Sequence, residues 1–227
     1  MTESEGRPMN SASMFRKVSR SLLMEVATGN VRHPTLYGHF NPILREGFWW
    51  RLREIDRQMA LLKLHGGRCL DVGGGEGVFL PTLAARFDKV VCVDLDTGGA
   101  KRLVERLSLN NAELTEGLFE QSVFEAPFDS IVAADVLEHY RELTEPLAAI
   151  RRWLKPGGYL FTSLPTESLA YRGLRKLFGV TKPSDHYRTA AEVEFILAEN
   201  RFVPVLRRKL PLPGLSLFTL TAWNWRG

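Results

Sequence analysis

The stretch of sequence that decides the fold runs from Leu70 to Gly77 and reads LDVGGGEG. An apolar run over residues 68–72 leads into it, and a helical pattern over residues 78–87 follows it. Glycines alternate at this junction, where a tightly turning backbone leaves room for a ligand. These glycines are Gly73, Gly75 and Gly77. The stretch therefore predicts a ligand-binding turn between a strand and a helix; a glycine-rich turn that binds nothing is the alternative.

The glycine spacing does not fit the two common phosphate-binding loops. Counted from Gly73, the G-x-G-x-x-G pattern puts Val78 in the place of its third glycine, and counted from Gly75 it puts Leu80 there. No lysine follows the glycines, as the P-loop requires. What remains is an acid, Asp71, followed by glycines at alternate positions.

A second acid, Asp94, ends the next predicted strand. In nucleotide-binding sheets a carboxylate at that place accepts hydrogen bonds from the ribose hydroxyls. Asp96, two residues later, is typical of a helix cap. A ribose-binding acid without a pyrophosphate-binding loop indicates a nucleoside ligand that carries no phosphate, and S-adenosylmethionine is the common cofactor of that description.

Apolar and amphipathic runs alternate on both sides of this stretch. The predicted strands are residues 68–72, 89–95, 112–116, 128–134 and 159–164, and the predicted helices between them are residues 78–87, 99–109 and 144–154. This alternation is typical of parallel strands joined by right-handed helical crossovers, so the expected fold is α/β, a doubly wound sheet. A helix over 190–199 and strands over 202–209 and 215–223 follow. Proline and glycine between those strands predict an antiparallel hairpin at the sheet edge.

The chain divides into three parts. Residues 1–14 are polar and without periodicity, which predicts a flexible tail. Residues 15–64 show helical patterns broken by turns and predict an N-terminal helical cap, whose longest helix is expected over Phe48–Leu64. Residues 65–227 carry the alternating pattern of the core.

Composition is that of a globular chain and excludes several other classes. The 227 residues (25.7 kDa) are 44% hydrophobic and 25% charged, which suits one domain with an appendage. No apolar run reaches the roughly 18 residues of a membrane-spanning helix. The N-terminus lacks the apolar core of a secretory signal, so the expected location is the cytoplasm. Cys69 and Cys92 lie among apolar neighbours, which predicts buried thiols and neither a disulfide framework nor a cysteine zinc site.

The net charge of +4 is modest for this length. Lysines and arginines are interleaved with apolar residues, so no basic stripe for nucleic acid is expected. The expected partner is a small or lipid-like molecule, with no nucleic acid and no stable membrane insertion.

Four motifs, in order, resemble those of the class I, Rossmann-like, S-adenosylmethionine-dependent methyltransferases over residues 64–223. They are Leu70–Gly77, Val91–Leu95, Phe128–Val132 with Asp135–His139, and Leu154–Leu160. The resemblance implies a methyltransferase with S-adenosylmethionine as its cofactor. It also implies a seven-stranded sheet in the order 3-2-1-4-5-7-6, with strand 7 antiparallel.

The resemblance assigns residues to the cofactor. They are Asp71, Gly73, Gly75, Gly77, Asp94, Leu95, Leu118, Ala134 and Arg45. It implies that Gly73, Gly75 and Ala134 border the methionine part, and that Asp71 holds the glycine loop or the cofactor's amino group. Asp94 is then expected at the ribose and Leu95 against the adenine.

Two assignments depart from the family pattern or extend it. Leu118 stands where the family usually has an acid beside the adenine amino group, so that contact is left to the Leu118 backbone or to Glu120. Phe40–Arg45 is similar to a stretch of the ubiquinone-biosynthesis O-methyltransferases, in which an arginine reaches the cofactor carboxylate. Arg45 suits that role because a guanidinium binds a carboxylate with two hydrogen bonds; a surface arginine on the cap is the alternative.

Candidates for a catalytic base are His186 and His139, with Tyr37 and His39 from the cap. His186 is preferred because its loop can pack over the substrate, whereas His139 is expected to shape the site. Methyl transfer depends largely on positioning, so a base is not always required. No resident metal is expected. The alternative is a divalent metal held by Asp135, Glu138, His139 and His186.

The acceptor is not identified by the sequence. Aromatic residues within 33–50 and an insertion over 169–180 are candidate lids over an apolar pocket, although such aromatics commonly form a core of their own. Two other functions compete: an S-adenosylmethionine-binding regulatory protein without catalysis, and a nicotinamide-dependent oxidoreductase, which the glycine spacing disfavours.

Overall fold

The fold is taken from a computed structural model, which describes residues 13–27, 36–166, 187–211 and 216–227. The predicted flexible tail falls almost wholly outside these ranges. The insertion over 169–180 and His186 also lie outside them.

Helices and strands alternate through the described core. The helices are α1 (Arg20–Val26), α2 (Pro42–Leu61), α3 (Leu80–Arg86), α4 (Gly98–Leu107), α5 (Thr144–Trp153) and α6 (Ala190–Glu199). The strands are β1 (Arg68–Val72), β2 (Lys89–Asp94), β3 (Ala112–Glu116), β4 (Phe128–Ala134), β5 (Leu154–Pro165), β6 (Phe202–Leu210) and β7 (Phe218–Trp225). Short 3₁₀ helices cover Leu36–Gly38, Phe119–Gln121 and Leu137–His139.

The seven strands form one sheet in the order β3-β2-β1-β4-β5-β7-β6. Strands β1 to β5 pair in parallel, and β7 lies antiparallel between β5 and β6. The predicted fold class and strand order are thus confirmed. Because β1, β2 and β4 are parallel neighbours, Val72, Asp94 and Ala134 end at the same edge of the sheet, where α/β sheets bind ligands.

The sheet is covered by apolar residues on both faces. One face carries Cys69, Cys92 and Phe161 and packs against the cap, α3 and α4; the other carries Leu70 and Ile131 and packs against α5 and α6. Both cysteines are free and buried, as predicted. Burial on both faces explains why the central strands are continuous apolar runs in the sequence.

The cap is fixed to the core by apolar and ionic contacts. Trp49, Ile55 and Met59 of α2 are fully buried. Beside them the carboxylate of Asp56 accepts a hydrogen bond at 2.6 Å from the guanidinium of Arg86 in α3, both side chains being buried. The cap is therefore part of the folded unit.

Some predicted bounds were wrong, for local reasons. Helix α2 begins at Pro42 instead of Phe48, because the side chain of Asn41 caps it and a proline suits the first helical position. Strand β5 begins at Leu154 instead of Tyr159, with a register shift against β4 and a positive φ of 79° at Gly157. Glycine readily adopts that conformation. The turn that the sequence predicts at Gly157 is therefore an irregularity inside strand β5 and does not precede the strand.

Across the described ranges, no helix is both long and apolar enough to cross a membrane.

Candidate functional site

The glycine loop after β1 turns through left-handed conformations. Gly73, Gly75 and Gly77 have φ angles of +65°, +53° and +72°. The Gly73 N–H donates to the carbonyl of Val93 at 2.8 Å. A Cβ on Gly73 would lie 2.5 Å from Val136, whereas a Cβ on Gly75 would meet nothing within 4 Å. Gly73 is thus required by packing, and Gly75 leaves its open side to a ligand.

Two cavities meet at this loop. The first, of about 360 Å³, lies between the glycine loop and the cap. The second, of about 350 Å³, lies over the ends of β1 and β2. Both are bordered by Gly73 and by Asp135, the residue that follows β4. Gly73 and Asp135 therefore stand between two adjoining cavities.

The second cavity contains the residues predicted for ribose and adenine. Asp94, Leu95 and Leu118 line it together with Gly117 and Tyr140. Leu95 and Leu118 are 69% and 41% exposed, which leaves apolar side chains open to a flat ring.

The Asp94 carboxylate organises the loop that borders both cavities. Its Oδ2 accepts from the Gly75 N–H at 2.8 Å, and its Oδ1 accepts from the Asp96 N–H at 3.1 Å. Asp96 in turn accepts from the Gly98 N–H at 2.9 Å, but the N-cap of α4 is Thr97, so Asp96 lies one residue before the cap position that was predicted for it.

Asp71 is the buried acid of the site. It is 4% exposed and lines the first cavity, and its Oδ2 has no hydrogen-bond partner among the described residues. Burial, together with the negative charge of Asp94, raises the pKa of Asp71 to about 7. A ligand cation placed beside this carboxylate would offset its cost of burial.

Sequence reasoning missed Arg51, which the cap places in the first cavity. Its guanidinium pairs with the Asp135 carboxylate, donates to the Tyr37 hydroxyl at 3.2 Å, and lies 4.2 and 4.4 Å from the ring centres of Phe48 and Phe218. The side chain is 2% exposed. Arg51 lies on the inner, apolar face of an amphipathic helix. A charged residue at such a position is rarely buried without a partner, and this was the sequence signal that could have identified it.

Arg45, the arginine predicted for the cofactor carboxylate, lies elsewhere. Its guanidinium donates to the His39 carbonyl at 3.2 Å and is 3.5 Å from the Glu46 carboxylate. It does not line either cavity, whereas Arg51 lines the first. The contact predicted for Arg45 stays a prediction, and the geometry adds Arg51 as the better placed cation.

Tyr140 is a second residue that sequence reasoning missed. Its hydroxyl donates to the Glu120 carboxylate at 3.0 Å, and burial with the nearby Glu120 charge raises its pKa above the ordinary value. Glu120, one of the two candidates for adenine recognition, therefore lies behind Tyr140, which itself lines the cavity.

The candidate bases are dispersed. His139 ends a 3₁₀ helix and lines the second cavity, whereas Tyr37 lines the first. His39 stacks on Phe40 and accepts from the Asn41 N–H at 3.0 Å, outside the residues that border either cavity. Burial raises the pKa of Tyr37 despite the Arg51 cation, so its hydroxyl stays protonated. His186 cannot be placed, because it is not among the described residues.

The described part of the chain does not support the alternative of a bound metal. Within it, no group of three histidine, cysteine or acidic side chains is arranged to hold a metal ion. Asp135 pairs instead with Arg51.

Comparison with known proteins identifies the family. A family model described as "Methyltransferase domain" matches residues 48–209. The chain belongs to this methyltransferase family. The match begins inside α2 and ends in β6, so it includes all the residues that border the two cavities except Leu36 and Tyr37.

Curated relatives of this methyltransferase match over part of their length. The ubiquinone biosynthesis O-methyltransferase of Paracidovorax citrulli is 28% identical over 159 residues, which cover 62% of this chain and 65% of that protein. The protein of the same name from Xylella fastidiosa is 34% identical over 127 residues, covering 51% and 49%. The chain thus spans less than two thirds of the length of these relatives.

Solved methyltransferases share the fold. The N-methyltransferase NodS of Bradyrhizobium japonicum, in complex with S-adenosylhomocysteine, has a TM-score of 0.64 at 22% identity, covering 92% of this chain and 98% of that one. The magnesium protoporphyrin IX methyltransferase of Synechocystis, also with S-adenosylhomocysteine, has a TM-score of 0.66 at 18% identity, covering 84% and 91%. These structures show the predicted Rossmann-like fold, and the family model over residues 48–209 confirms the predicted methyltransferase family.

Proposed function

We propose that this methyltransferase transfers the methyl group of S-adenosylmethionine to an oxygen atom of a small or lipid-like organic acceptor. The observation that carries the proposal is the pair of cavities that meet at Gly73 and Asp135. One is bordered by ionic groups suited to an amino acid, and the other by an acid and apolar side chains suited to a nucleoside.

The described residues fit the cofactor. The open side of Gly75 offers backbone approach, and the buried Asp71 Oδ2 lacks a hydrogen-bond partner in the described chain. Asp71 would hold the amino group and Arg51 the carboxylate, since each carries the opposite charge. Asp94 would hold the ribose, with Leu95 and Leu118 against the adenine.

When bound, S-adenosylmethionine would supply a methyl group whose carbon a nucleophile attacks, while the bond to the positively charged sulfur breaks and S-adenosylhomocysteine leaves. The protein's own part is chiefly to orient the two partners and exclude water. Tyr37, whose pKa is raised by burial, is better suited to donate a hydrogen bond than to remove a proton. His186 remains the preferred base for removing the acceptor's proton, with His139 second, as the sequence predicts.

The acceptor would share the first cavity with the amino acid part of the cofactor, and its class is inferred from the rest of that lining and from the curated relatives. Apolar and aromatic side chains line much of that cavity: Leu36, Tyr37, Phe48, Leu52, Val78 and Phe79. The relatives' name, ubiquinone biosynthesis O-methyltransferase, favours oxygen and a lipid-like acceptor for them. We extend that chemistry to this chain. We also propose that its partner is a small molecule and not a nucleic acid, and that it acts in the cytoplasm.

A methyl-transfer assay tests the proposal. Purified protein is incubated with labelled S-adenosylmethionine and a panel of phenols, carboxylic acids, amines and lipid quinols, and methylated products are identified by mass spectrometry. We expect methylation of a phenol or quinol oxygen. Methylation of amines alone would contradict oxygen as the target. Binding of S-adenosylhomocysteine with no transfer to any acceptor would favour the regulatory alternative, and binding of NAD in its place would favour the oxidoreductase.

A further inference from the structure

The outer side of the cap carries exposed apolar side chains. Phe40, Ile43 and Trp50 are 74%, 69% and 42% exposed. Ile43 and Trp50 are two helical turns apart on one face of α2, and Gly47 between them adds no side chain. We call Phe40, Ile43 and Trp50 the apolar tip.

The apolar tip lies back to back with the first cavity. Phe48, Arg51 and Leu52, on the opposite face of α2, line that cavity. A helix with its side chains is about 10–12 Å across. The apolar tip is therefore about one helix diameter from the pocket proposed for the acceptor.

Positive charge borders the apolar tip. Arg53 and Arg57 are exposed and follow Trp50 on the same face. From Trp50 to the end of α2 the exposed charged residues are Arg53 and Arg57, whereas Glu54 and Asp56 are buried; Arg57 also pairs with Glu54 at 3.1 Å. The face thus passes from apolar side chains at the helix start to arginines farther along.

We propose that the apolar tip docks on the surface of an anionic lipid bilayer. Phe40 and Ile43 insert among the acyl chains, Trp50 lies at the headgroup level, and Arg53 and Arg57 meet the anionic headgroups. In this orientation the first cavity lies on the other side of α2, about one helix diameter from the bilayer surface. The purpose of docking rests on the proposed function; the docking itself does not.

The size of the patch favours a bilayer over a second copy of the chain. Given about 150–250 Å² for each large side chain, the exposed parts of the apolar tip amount to roughly 400 Å². A stable protein interface buries about 800 Å² on each partner. A bilayer needs no shape-complementary surface and accepts a few inserted side chains.

Vesicle flotation tests the docking. The full chain is mixed with vesicles of phosphatidylcholine alone or with added phosphatidylglycerol, and the bound fraction is measured. The double variant Phe40→Ser/Ile43→Ser removes most of the apolar tip. Phe195→Ser, which changes a residue that is 66% exposed on α6, is the matched control. Circular dichroism, thermal melting and S-adenosylhomocysteine titration show whether each variant is folded.

We expect the native chain to bind the anionic vesicles more tightly, and added salt to weaken binding. The double variant should lose at least about tenfold in partitioning while Phe195→Ser matches the native chain. Absence of native binding to either vesicle, or equal binding by the double variant, would overturn the proposal. The proposal would also be overturned if the native chain bound no vesicles and instead formed a dimer that the double substitution dissociates. Vesicle binding in a chain that fails to bind S-adenosylhomocysteine would overturn the proposed function and leave the docking surface standing.

Discussion

The Asp135 carboxylate stands where the two cavities meet, and it pairs with the guanidinium of Arg51 from the cap. Asp135 has a positive φ of 58°, and its N–H donates to the Ser163 carbonyl at 2.8 Å, so β4 and β5 fix its backbone. A non-glycine residue in that conformation is uncommon and is often found at functional sites. The pair ties the cap to the core at the point where the two cavities adjoin.

The first prediction concerns Arg51. Arg51→Met should weaken binding of S-adenosylhomocysteine roughly ten- to a hundredfold, the usual effect of losing a hydrogen bond to a charged group. Binding of methylthioadenosine, which lacks the amino acid part, should change little. Calorimetric titration of both ligands measures the difference.

Arg45→Met is the matched control, because Arg45 belongs to the same helix and lines neither cavity. It should leave both affinities unchanged. If Arg45→Met selectively weakened S-adenosylhomocysteine and Arg51→Met did not, the carboxylate contact would belong to Arg45. Should Arg51→Met fail to fold, Arg51→Met/Asp135→Asn avoids leaving the carboxylate unpaired.

The second prediction concerns the open side of Gly75. Gly75→Val should abolish measurable binding of S-adenosylhomocysteine, since the new side chain would project where nothing of the protein lies within 4 Å. Gly157→Val is the control: its φ of +79° imposes the same kind of strain, and its Cβ also meets nothing. Both variants should lose at least ~1 kcal/mol of unfolding free energy. If folded Gly75→Val bound S-adenosylhomocysteine normally, the glycine loop would not be part of the binding site.

The third prediction is a pH dependence that comes from Asp71. Its folded pKa of about 7 exceeds the ordinary value of 3.8, so the folded chain binds a proton more tightly than the unfolded chain. Stability of the free protein should therefore fall as pH rises from about 4 to about 7. Affinity for S-adenosylhomocysteine should change in the opposite sense, rising about tenfold from pH 6 to pH 8, because the ionised carboxylate favours the ligand's ammonium group. In Asp71→Asn the affinity should be flat with pH; an unchanged slope there would assign the titration to another group.

The fourth prediction concerns the base. His186→Ala should lower kcat by ~10²–10⁴-fold, the usual contribution of general-base catalysis, and leave cofactor affinity unchanged. His139→Ala should have the smaller effect on kcat, since His139 lines the cavity proposed for the nucleoside. A change in stability or KM with an unaltered pH profile of kcat would reduce His186 to a structural role. Activity lost in EDTA and restored by Mg²⁺ would make it a metal ligand.

The fold was predictable because its signals are local. The glycine loop sets the strand-to-helix turn at Leu70–Gly77, and continuous apolar runs mark strands such as β2 and β4. The predicted start of a helix or strand was wrong where a capping side chain or an irregularity in the strand determined it, as at Asn41 and Gly157.

The candidate site was predictable in part. Asp71 and Asp94 follow from their places at strand ends, because parallel strands bring those ends together. Arg51 and Tyr140 did not follow, since their roles depend on Asp135 and Glu120, which are distant in sequence. Only tertiary packing places such partners side by side.

The central claim is that the two joined cavities bind S-adenosylmethionine, and calorimetric titration with S-adenosylhomocysteine tests it most directly. The native chain should bind one equivalent and show no heat with NAD. Asp94→Ala should lower that affinity by about 1–3 kcal/mol, and Asp96→Ala, which removes the acceptor of the Gly98 N–H at the start of α4, should not. A folded native chain that binds no S-adenosylhomocysteine, or that binds it as tightly without the Asp94 carboxylate as with it, would contradict the account.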